Sequence, residues 1–519
     1  MIDSLGNRTL NDLLAERVEL HGDKTWLVFE DRQGTGCELS YRQFSDKVAG
    51  AARGFASVGI KQGDAVVVHL RNCPEFLIAW FALAAIGAVM VPSNTANTAP
   101  ELNHVIGHSE AVAVVTESDY LDIFLELQPE HPHLGTLILA RGGETRGKVK
   151  DFAALMVASA ELPEITVRSE DLQEMIFTSG TTAKPKAVML THANALHGGE
   201  ETVKGVALDS SDRCLTALPL FHCNAQALSV LGALTAGATL ILLEEFRASR
   251  YWEQVRQHRA TYTSLVAMQL RTLLAQPPAE TDGNHQLRRL FYAINVTDEE
   301  KEAFERRYAV KLINGYGMSE LMILASIVPV FGRQKWPSIG LPALDRTIRI
   351  VDENGDDVPA GAVGEIIVSG MPGRTVMKGY FKDPAATSHA LRDGWLHTGD
   401  NGYLDEEGYL YFFDRKKDVI KRAGENVSAS EVEAVLVQHP AIAEAAVIGV
   451  PDPVRDEAVK AFVVCRDGEQ LADEDIRAFC KTKLAPFKIP TEVEFLAELP
   501  KTSIGKIEKK LLRCEGRKA

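Results

Sequence analysis

Short apolar runs alternate with helical stretches along most of this chain, and no other feature narrows its fold as much. Asp64 to Leu70, Ala111 to Thr116, Thr136 to Leu139 and Thr239 to Leu243 read as strands, while Tyr41 to Ser57 and Tyr251 to His258 carry the helical period. The alternation predicts layered α/β architecture with largely parallel sheets, because parallel neighbours need a crossover connection, usually a helix. At 519 residues the chain exceeds what one hydrophobic core supports, and roughly 150 residues per domain predicts several units. Phe76 to Val91 is the one stretch that resembles a membrane segment. It falls short of the roughly 18 to 20 apolar residues a span needs, contains Gly87 and precedes Pro92. A buried helix ending near Gly87, followed by a core strand Ala88 to Val91, is expected instead.

From about Thr347 the texture changes to short strands and Gly-rich turns, among them Asp352-Glu-Asn-Gly-Asp356 and Asp405-Glu-Glu-Gly408. After Asp414-Arg-Lys-Lys-Asp418 come a helical pattern from Ser430 to His439, strands Ala445 to Val450 and Ala458 to Val464, and a helix near Asp473 to Lys483. The expected organisation is an N-terminal domain, 1–414, of layered α/β subdomains with a β-rich subdomain at about 345–414, then a small α+β C-terminal domain, 415–519. The charged run at 414–418 reads as either a solvated turn or a hinge.

A formal net charge of −15 argues against a general nucleic-acid or anionic-membrane binder, since both need a positive surface. The seven cysteines are odd in number, scattered, and form no Cys-x-x-Cys pair, which suggests neither a disulfide framework nor a zinc site. The N-terminus shows no basic stretch followed by an apolar one, so no signal peptide is expected and a reducing cytoplasm is the simplest location.

Residues 177–188 read Phe-Thr-Ser-Gly-Thr-Thr-Ala-Lys-Pro-Lys-Ala-Val. They fail the Gly-x-x-x-x-Gly-Lys-Ser/Thr phosphate loop. Glu174 to Phe177 reads as a strand, Thr178 to Thr182 as a polar turn, and Ala187 to Leu190 as a second strand. Hydroxyls and backbone N–H groups there could wrap oxyanions, with Lys186 as a point charge. Composition leaves an ordinary Thr- and Ser-rich surface hairpin open.

Further stretches follow: Tyr316-Gly-Met-Ser-Glu320, Gly394-Trp-Leu-His-Thr-Gly-Asp400, Asp414-Arg-Lys-Lys-Asp-Val-Ile-Lys421, Gly424-Glu-Asn-Val-Ser428 and Pro500-Lys-Thr-Ser-Ile-Gly-Lys506. With residues 178–187 these resemble, in order, the motifs of the acyl-adenylate-forming superfamily of acyl-CoA synthetases, adenylation domains and luciferases. Tyr292-Ala-Ile-Asn295, Trp336-Pro-Ser-Ile-Gly340 and Gln276-Pro-Pro278 look like its crotonobetaine/carnitine-CoA ligase branch.

The resemblance implies an ATP-dependent acyl-CoA ligase, using Mg²⁺ and coenzyme A, that converts a small carboxylic acid to its thioester through an acyl adenylate. It implies that Thr178, Ser179, Gly180, Thr181, Thr182 and Lys186 cradle the β- and γ-phosphates. Glu320 would ligate Mg²⁺ and Ser319 would meet phosphate. Ala293, Ile294, Asn295, Asn314, Gly315, Tyr316 and Gly317 would line the adenine. Asp400 would accept from the ribose hydroxyls, Phe412 would pack near the sugar, and Arg415 would reach ribose or phosphate. Lys506 would bridge the substrate carboxylate and the α-phosphate. A mobile C-terminal domain would rotate about Lys417, withdrawing Lys506 and presenting the Gly424 region to the pantetheine tunnel.

By the same resemblance Leu220-Phe-His-Cys-Asn-Ala-Gln226 and Ser264 to Leu270 frame the acyl pocket, with His222 at its gate. Asn224 and Gln226 suggest a short or polar acid, since buried amides without partners are costly. A quaternary ammonium acid would call for an aromatic cage. Two other readings stay open: loading of a carrier-protein thiol, and a non-catalytic nucleotide-binding relative. A homo-oligomer is compatible with either. Ala183 and Ala187 replace family glycines; a Cβ penalises positive φ, so a functional loop needs negative φ at Ala183.

Overall fold

The structure, a computed structural model, describes residues 5–157, 164–178, 185–293, 296–415, 418–422, 425–452, 456–484, 486–501 and 507–515. The chain divides into two compact units, Met1–Thr347 with Val368–Leu396, and Ile348–Ile367 with His397–Ala519.

In the first unit one sheet runs parallel through Thr25–Glu30, Thr239–Leu243, Arg213–Thr216, Tyr262–Val266, Arg289–Ala293 and Leu312–Gly317, with antiparallel strands at both edges. Helices Ala248–Gln257, Ala267–Leu274 and Asp298–Tyr308 supply Tyr251, Trp252, Leu273, Phe304 and Tyr308 to the core over it. The second sheet carries Val89–Pro92, Ala65–His69, Ala113–Glu117 and Thr136–Arg141 in parallel. It continues through Leu172–Thr178 to the antiparallel strand Lys186–Thr191 and the short strand Gly379–Tyr380. The strand-like runs thus fall on strands, and their uniform burial, as in Ala65–His69, is what a parallel sheet covered on both faces requires.

Helix Tyr41–Ser57 spans the stretch expected of it, started by a capping box between Ser40 and Gln43. Pro74–Ala85 is buried on almost every side, which explains an apolar run with no amphipathic stripe. Gly87 then takes φ 66°, a left-handed turn that releases the chain into Val89–Pro92. Among the described residues no helix is long and apolar enough to cross a membrane.

In the second unit Ile348–Val351, Gly364–Ser369, Trp395–Leu404 and Leu410–Arg415 belong to one sheet. Another sheet orders Glu425–Ser428, Val419–Arg422, Asp456–Cys465 and Ile442–Asp452, with Glu492–Phe495 beside Asp456–Cys465. Val432 and Leu436 of helix Ala429–Leu436 and Ile476 and Cys480 of Asp473–Lys481 close its core. The α+β texture expected there is what the chain forms.

Candidate active site

The hydroxyl-rich stretch joins two antiparallel strands whose register pairs Thr178 with Lys186 and Phe177 with Ala187. Thr178 Oγ1 donates to the Lys186 carbonyl at 3.4 Å. Ser179, Gly180, Thr181, Thr182 and Ala183 lie outside the described residues. Ala187 is fully buried, within the core that holds Met175 and Val91, so its methyl group packs where a glycine would leave space.

Lys186 and Glu320 are brought together by a residue absent from the sequence reading. Gly379–Tyr380 pairs with Val188 and Met189, and this strand addition delivers Tyr380. The Lys186 ammonium lies 4.8 Å above the Tyr380 ring centre, and the Tyr380 hydroxyl donates to Glu320 Oε1 at 2.8 Å. Burial, and next the Glu320 charge, push the Tyr380 phenol well above its ordinary pKa, so it stays a donor. The backbone is tied as well, Met377 N–H donating to the Glu320 carbonyl at 2.7 Å. The signal for Tyr380 was a short Lys-Gly-Tyr-Phe run, 378–381, too brief to read as a strand.

Glu320 is 7% exposed and sits in the tight turn Ser319–Leu321 that follows strand Leu312–Gly317. Gly317 is obligatory: a Cβ there would lie 1.4 Å from the Ile323 carbonyl oxygen. Met322 closes the turn at φ 66°, a strained conformation for a side chain with a Cβ. Arg346 clamps this turn. Its guanidinium donates to the carbonyls of Leu321 and Leu324, both at 3.2 Å, to Thr375, and to Glu201 Oε1 at 2.9 Å.

Asn314 pairs with Tyr292 on the neighbouring strand, which sets Ala293 beside Gly315 at the ends of adjacent parallel strands, just before Tyr316. Ile294 and Asn295 lie outside the described residues. Ser319 Oγ is 3.6 Å from Cys223 Sγ, so the phosphate motif touches the segment expected to frame the acyl pocket. His222 lies beside Phe221 there, ring centres 4.6 Å apart. From Asn224 to Leu231 the chain winds as a π-helix, a form that concentrates at functional sites. Asn224 accepts from Ser264 Oγ at 2.8 Å. Gln226 donates to Glu174 Oε1 at 2.6 Å and to the Leu220 carbonyl at 2.8 Å. Asn224 Oδ1 and Gln226 Nε2 therefore have partners, whereas Gln226 Oε1 is buried without a hydrogen bond.

The second unit places three more expected residues on one ladder. Asp400 pairs with Arg415 and Gly402 with Phe412. Gly399 takes φ 71°, and Asp400 N–H donates to Thr398 Oγ1 at 3.1 Å. Asp414 is buried and accepts from Ser428 Oγ and from Ser430 N–H at 3.1 and 3.0 Å, joining this ladder to the next helix. Lys417, Gly424 and Lys506 lie outside the described residues.

Among the described residues no group of three or more His, Cys, Asp or Glu side chains could hold a metal ion. Glu320 alone, a hard oxygen donor, fits magnesium, which keeps waters and substrate phosphate oxygens rather than a protein cage.

The AMP-binding enzyme signature matches residues 14–381, and that of the AMP-binding enzyme C-terminal domain residues 431–506. The chain is 42% identical over 526 residues to a crotonobetaine/carnitine–CoA ligase of Proteus mirabilis, covering 99% of this chain and 100% of that protein. Among solved structures it resembles the o-succinylbenzoate CoA synthetase of Bacillus subtilis in complex with its acyl-adenylate intermediate. That match has TM-score 0.85 and 27% identity, covering 98% of this chain and 99% of that one. The same synthetase with ATP and magnesium ion matches at TM-score 0.83 and 28% identity, over 96% and 98%. Full-length likeness to coenzyme A ligases leaves the carrier-protein and non-catalytic readings without support. The chain belongs to the AMP-binding enzyme family, on the branch of the crotonobetaine/carnitine–CoA ligases.

Proposed function

We propose that this ATP-dependent acyl-CoA ligase acts on a small acid that carries a quaternary ammonium, in the manner of carnitine or crotonobetaine. The acid's carboxylate attacks the α-phosphate of ATP and pyrophosphate leaves; the coenzyme A thiol then displaces AMP from the acyl adenylate. The choice of acid is supported by the full-length likeness to a crotonobetaine/carnitine–CoA ligase.

The observation that carries the adenylation reading is the chain Lys186, Tyr380, Glu320, with Lys186 opening the strand that follows the hydroxyl-rich stretch in sequence. Lys186, with Thr178, Ser179, Gly180, Thr181 and Thr182, would hold the β- and γ-phosphates. The Tyr380 ring keeps the ammonium in place and its hydroxyl orients Glu320, so a cation and an anion are set on one scaffold. Glu320 would hold Mg²⁺, which neutralises phosphate charge that would repel the incoming carboxylate. Asn314, Gly315, Tyr316 and Gly317 would meet the adenine with Ala293, Ile294 and Asn295, and Asp400, Phe412 and Arg415 the ribose. Ser319 would meet phosphate and His222 would gate the acyl end. Lys506 would bridge carboxylate and α-phosphate, a task suited to a compact ammonium. A domain beginning at 415 would turn about Lys417 and bring Gly424 to the thiol channel. The enzyme would work in the cytoplasm.

The test is pyrophosphate release with ATP, Mg²⁺ and a panel of carnitine, crotonobetaine, short alkyl and aryl acids, each with and without coenzyme A. Turnover confined to alkyl or aryl acids would overturn the choice of acid. Absence of AMP and thioester with every acid would overturn the assigned roles.

A further inference from the structure

Helix Ala99–Ser109 carries two histidines one turn apart, His104 and His108, whose rings stack with their centres 5.4 Å apart. Neither is among the groups assigned above to ATP, metal or acid. His104 Nε2 lies 3.1 Å from the Pro185 carbonyl oxygen, and His108 Nε2 lies 3.0 Å from the Phe381 carbonyl oxygen. A carbonyl can only accept, so Nε2 carries a proton in both rings. Both rings also stand edge-on to Phe177, each with centres 5.8 Å from it, inclined at 85° and 79°. His108 meets Phe381 in the same way, at 6.0 Å and 88°.

The three residues these rings touch all border the chain Lys186, Tyr380, Glu320. Phe177 precedes Thr178, where the hydroxyl-rich stretch begins, and pairs with Ala187. The Pro185 carbonyl belongs to the peptide bond whose nitrogen is that of Lys186. Phe381 follows Tyr380, and its N–H donates to the Ala187 carbonyl at 2.9 Å. Phe381 is thus held by the strand of Lys186 through its N–H and by His108 through its carbonyl. Together the two imidazoles grip the entry to the stretch 178–186, its exit, and the strand that delivers Tyr380. An aliphatic side chain could pack against Phe177 but has nothing to donate to either carbonyl, whereas an imidazole offers a flat ring and an N–H at once.

We propose that His104 and His108 are positioning residues for adenylation, fixing the Pro185–Lys186 peptide and the Tyr380–Phe381 segment so that the Lys186 ammonium is held ready for the phosphates of ATP. This rests on the reading above that Lys186 and the stretch before it hold the β- and γ-phosphates. The histidines act through Lys186 and Tyr380 and take no part in the bond changes.

The experiment is calorimetric titration of the full-length protein with MgATP and, separately, with AMP, which lacks the β- and γ-phosphates. Lys186→Met serves as the reference and is expected to weaken MgATP binding while leaving AMP unchanged. His104→Leu combined with His108→Leu is expected to weaken MgATP roughly 10-fold, the scale of losing two hydrogen bonds, again with AMP little changed. His104→Gln combined with His108→Gln keeps an N–H donor at each position and is expected to recover most of that loss. Thermal melting reports folding, and should the double leucine variant not fold, His104→Leu alone is expected to give a loss of about 3-fold confined to MgATP. Leucine variants that bind MgATP as wild type does, that lose both nucleotides equally, or that glutamine does not rescue overturn the role of the histidines while the reading of Lys186 stands. A Lys186→Met protein that binds MgATP as tightly as wild type overturns that reading, and the positioning role with it.

Discussion

The hydroxyl of Tyr380 lies 2.8 Å from Oε1 of Glu320, and the ring beneath that hydroxyl faces the Lys186 ammonium 4.8 Å away. One aromatic side chain thus meets a cation and an anion from two distant motifs. The ring attracts the cation through its face, while the hydroxyl holds the carboxylate through a charge-assisted hydrogen bond.

Tyr380→Phe keeps the ring and removes the hydrogen bond. A bond to a charged group is worth about 1.5–3 kcal/mol, so adenylation is expected to slow by roughly 10- to 100-fold. The Mg²⁺ concentration for half-maximal rate should rise. Pyrophosphate release titrated with Mg²⁺ measures both; an unchanged Mg²⁺ response would remove Tyr380 from the site.

Lys506→Ala is expected to abolish adenylation while still allowing thioester formation from supplied acyl adenylate and coenzyme A. Lys417→Pro should do the reverse, sparing pyrophosphate release and slowing thioester formation. Single-turnover measurement of each half-reaction separates the two, and equal loss of both halves in either variant would count against alternation about Lys417.

Arg346→Met leaves Glu201 buried without its cation, a change expected to cost about 3–5 kcal/mol of stability. It also frees the Leu321 and Leu324 carbonyls that flank the strained Met322. Replacing both members, Glu201→Leu with Arg346→Met, should recover part of the melting temperature. The double variant should still adenylate poorly, because the Glu320 turn has lost its clamp. Recovery of full activity would show the pair to be structural only.

Burial pushes the Glu174 carboxyl up to about 8, partly offset by hydrogen bonds from Gln226 and Gln173. An unfolded chain ionises this group near its ordinary value, so the buried neutral form is favoured below that value. Its contribution is lost as pH rises toward 8. Stability of the ligand-free enzyme should therefore decline across pH 5 to 8, and Glu174→Gln should flatten the decline. Thermal melts at intervals over that range test it; parallel curves for the two proteins would contradict it.

Much of the architecture was legible because it follows from local pattern. Tyr41–Ser57 is started by its own capping box, strands such as Ala65–His69 and Thr239–Leu243 are apolar runs, and Gly87 marks its own turn. Ala187 could be judged only once its strand was seen inside a core. Tyr380 was not legible, since a two-residue strand has no period to detect and its pairing with Val188 and Met189 joins segments about 190 residues apart. The partners of Asn224 Oδ1 and Gln226 Nε2, Ser264 and Glu174, are not legible in the sequence because they lie 40 and 52 residues away.

The sequence by itself determined the chemistry on offer: a hydroxyl-rich turn before a lysine, a carboxylate four residues after Tyr316, and a C-terminal lysine following Gly505. These are short-range arrangements, and short-range order is what a linear reading can see. The tertiary structure decided which groups meet. Strand addition brings Tyr380 between Lys186 and Glu320, Arg346 reaches across to hold the turn, and the π-helix sets Gln226 against a buried Glu174. Those contacts depend on the packing of sheets and helices formed from distant segments, where burial and partner choice are settled by the whole fold and not by neighbours in the chain.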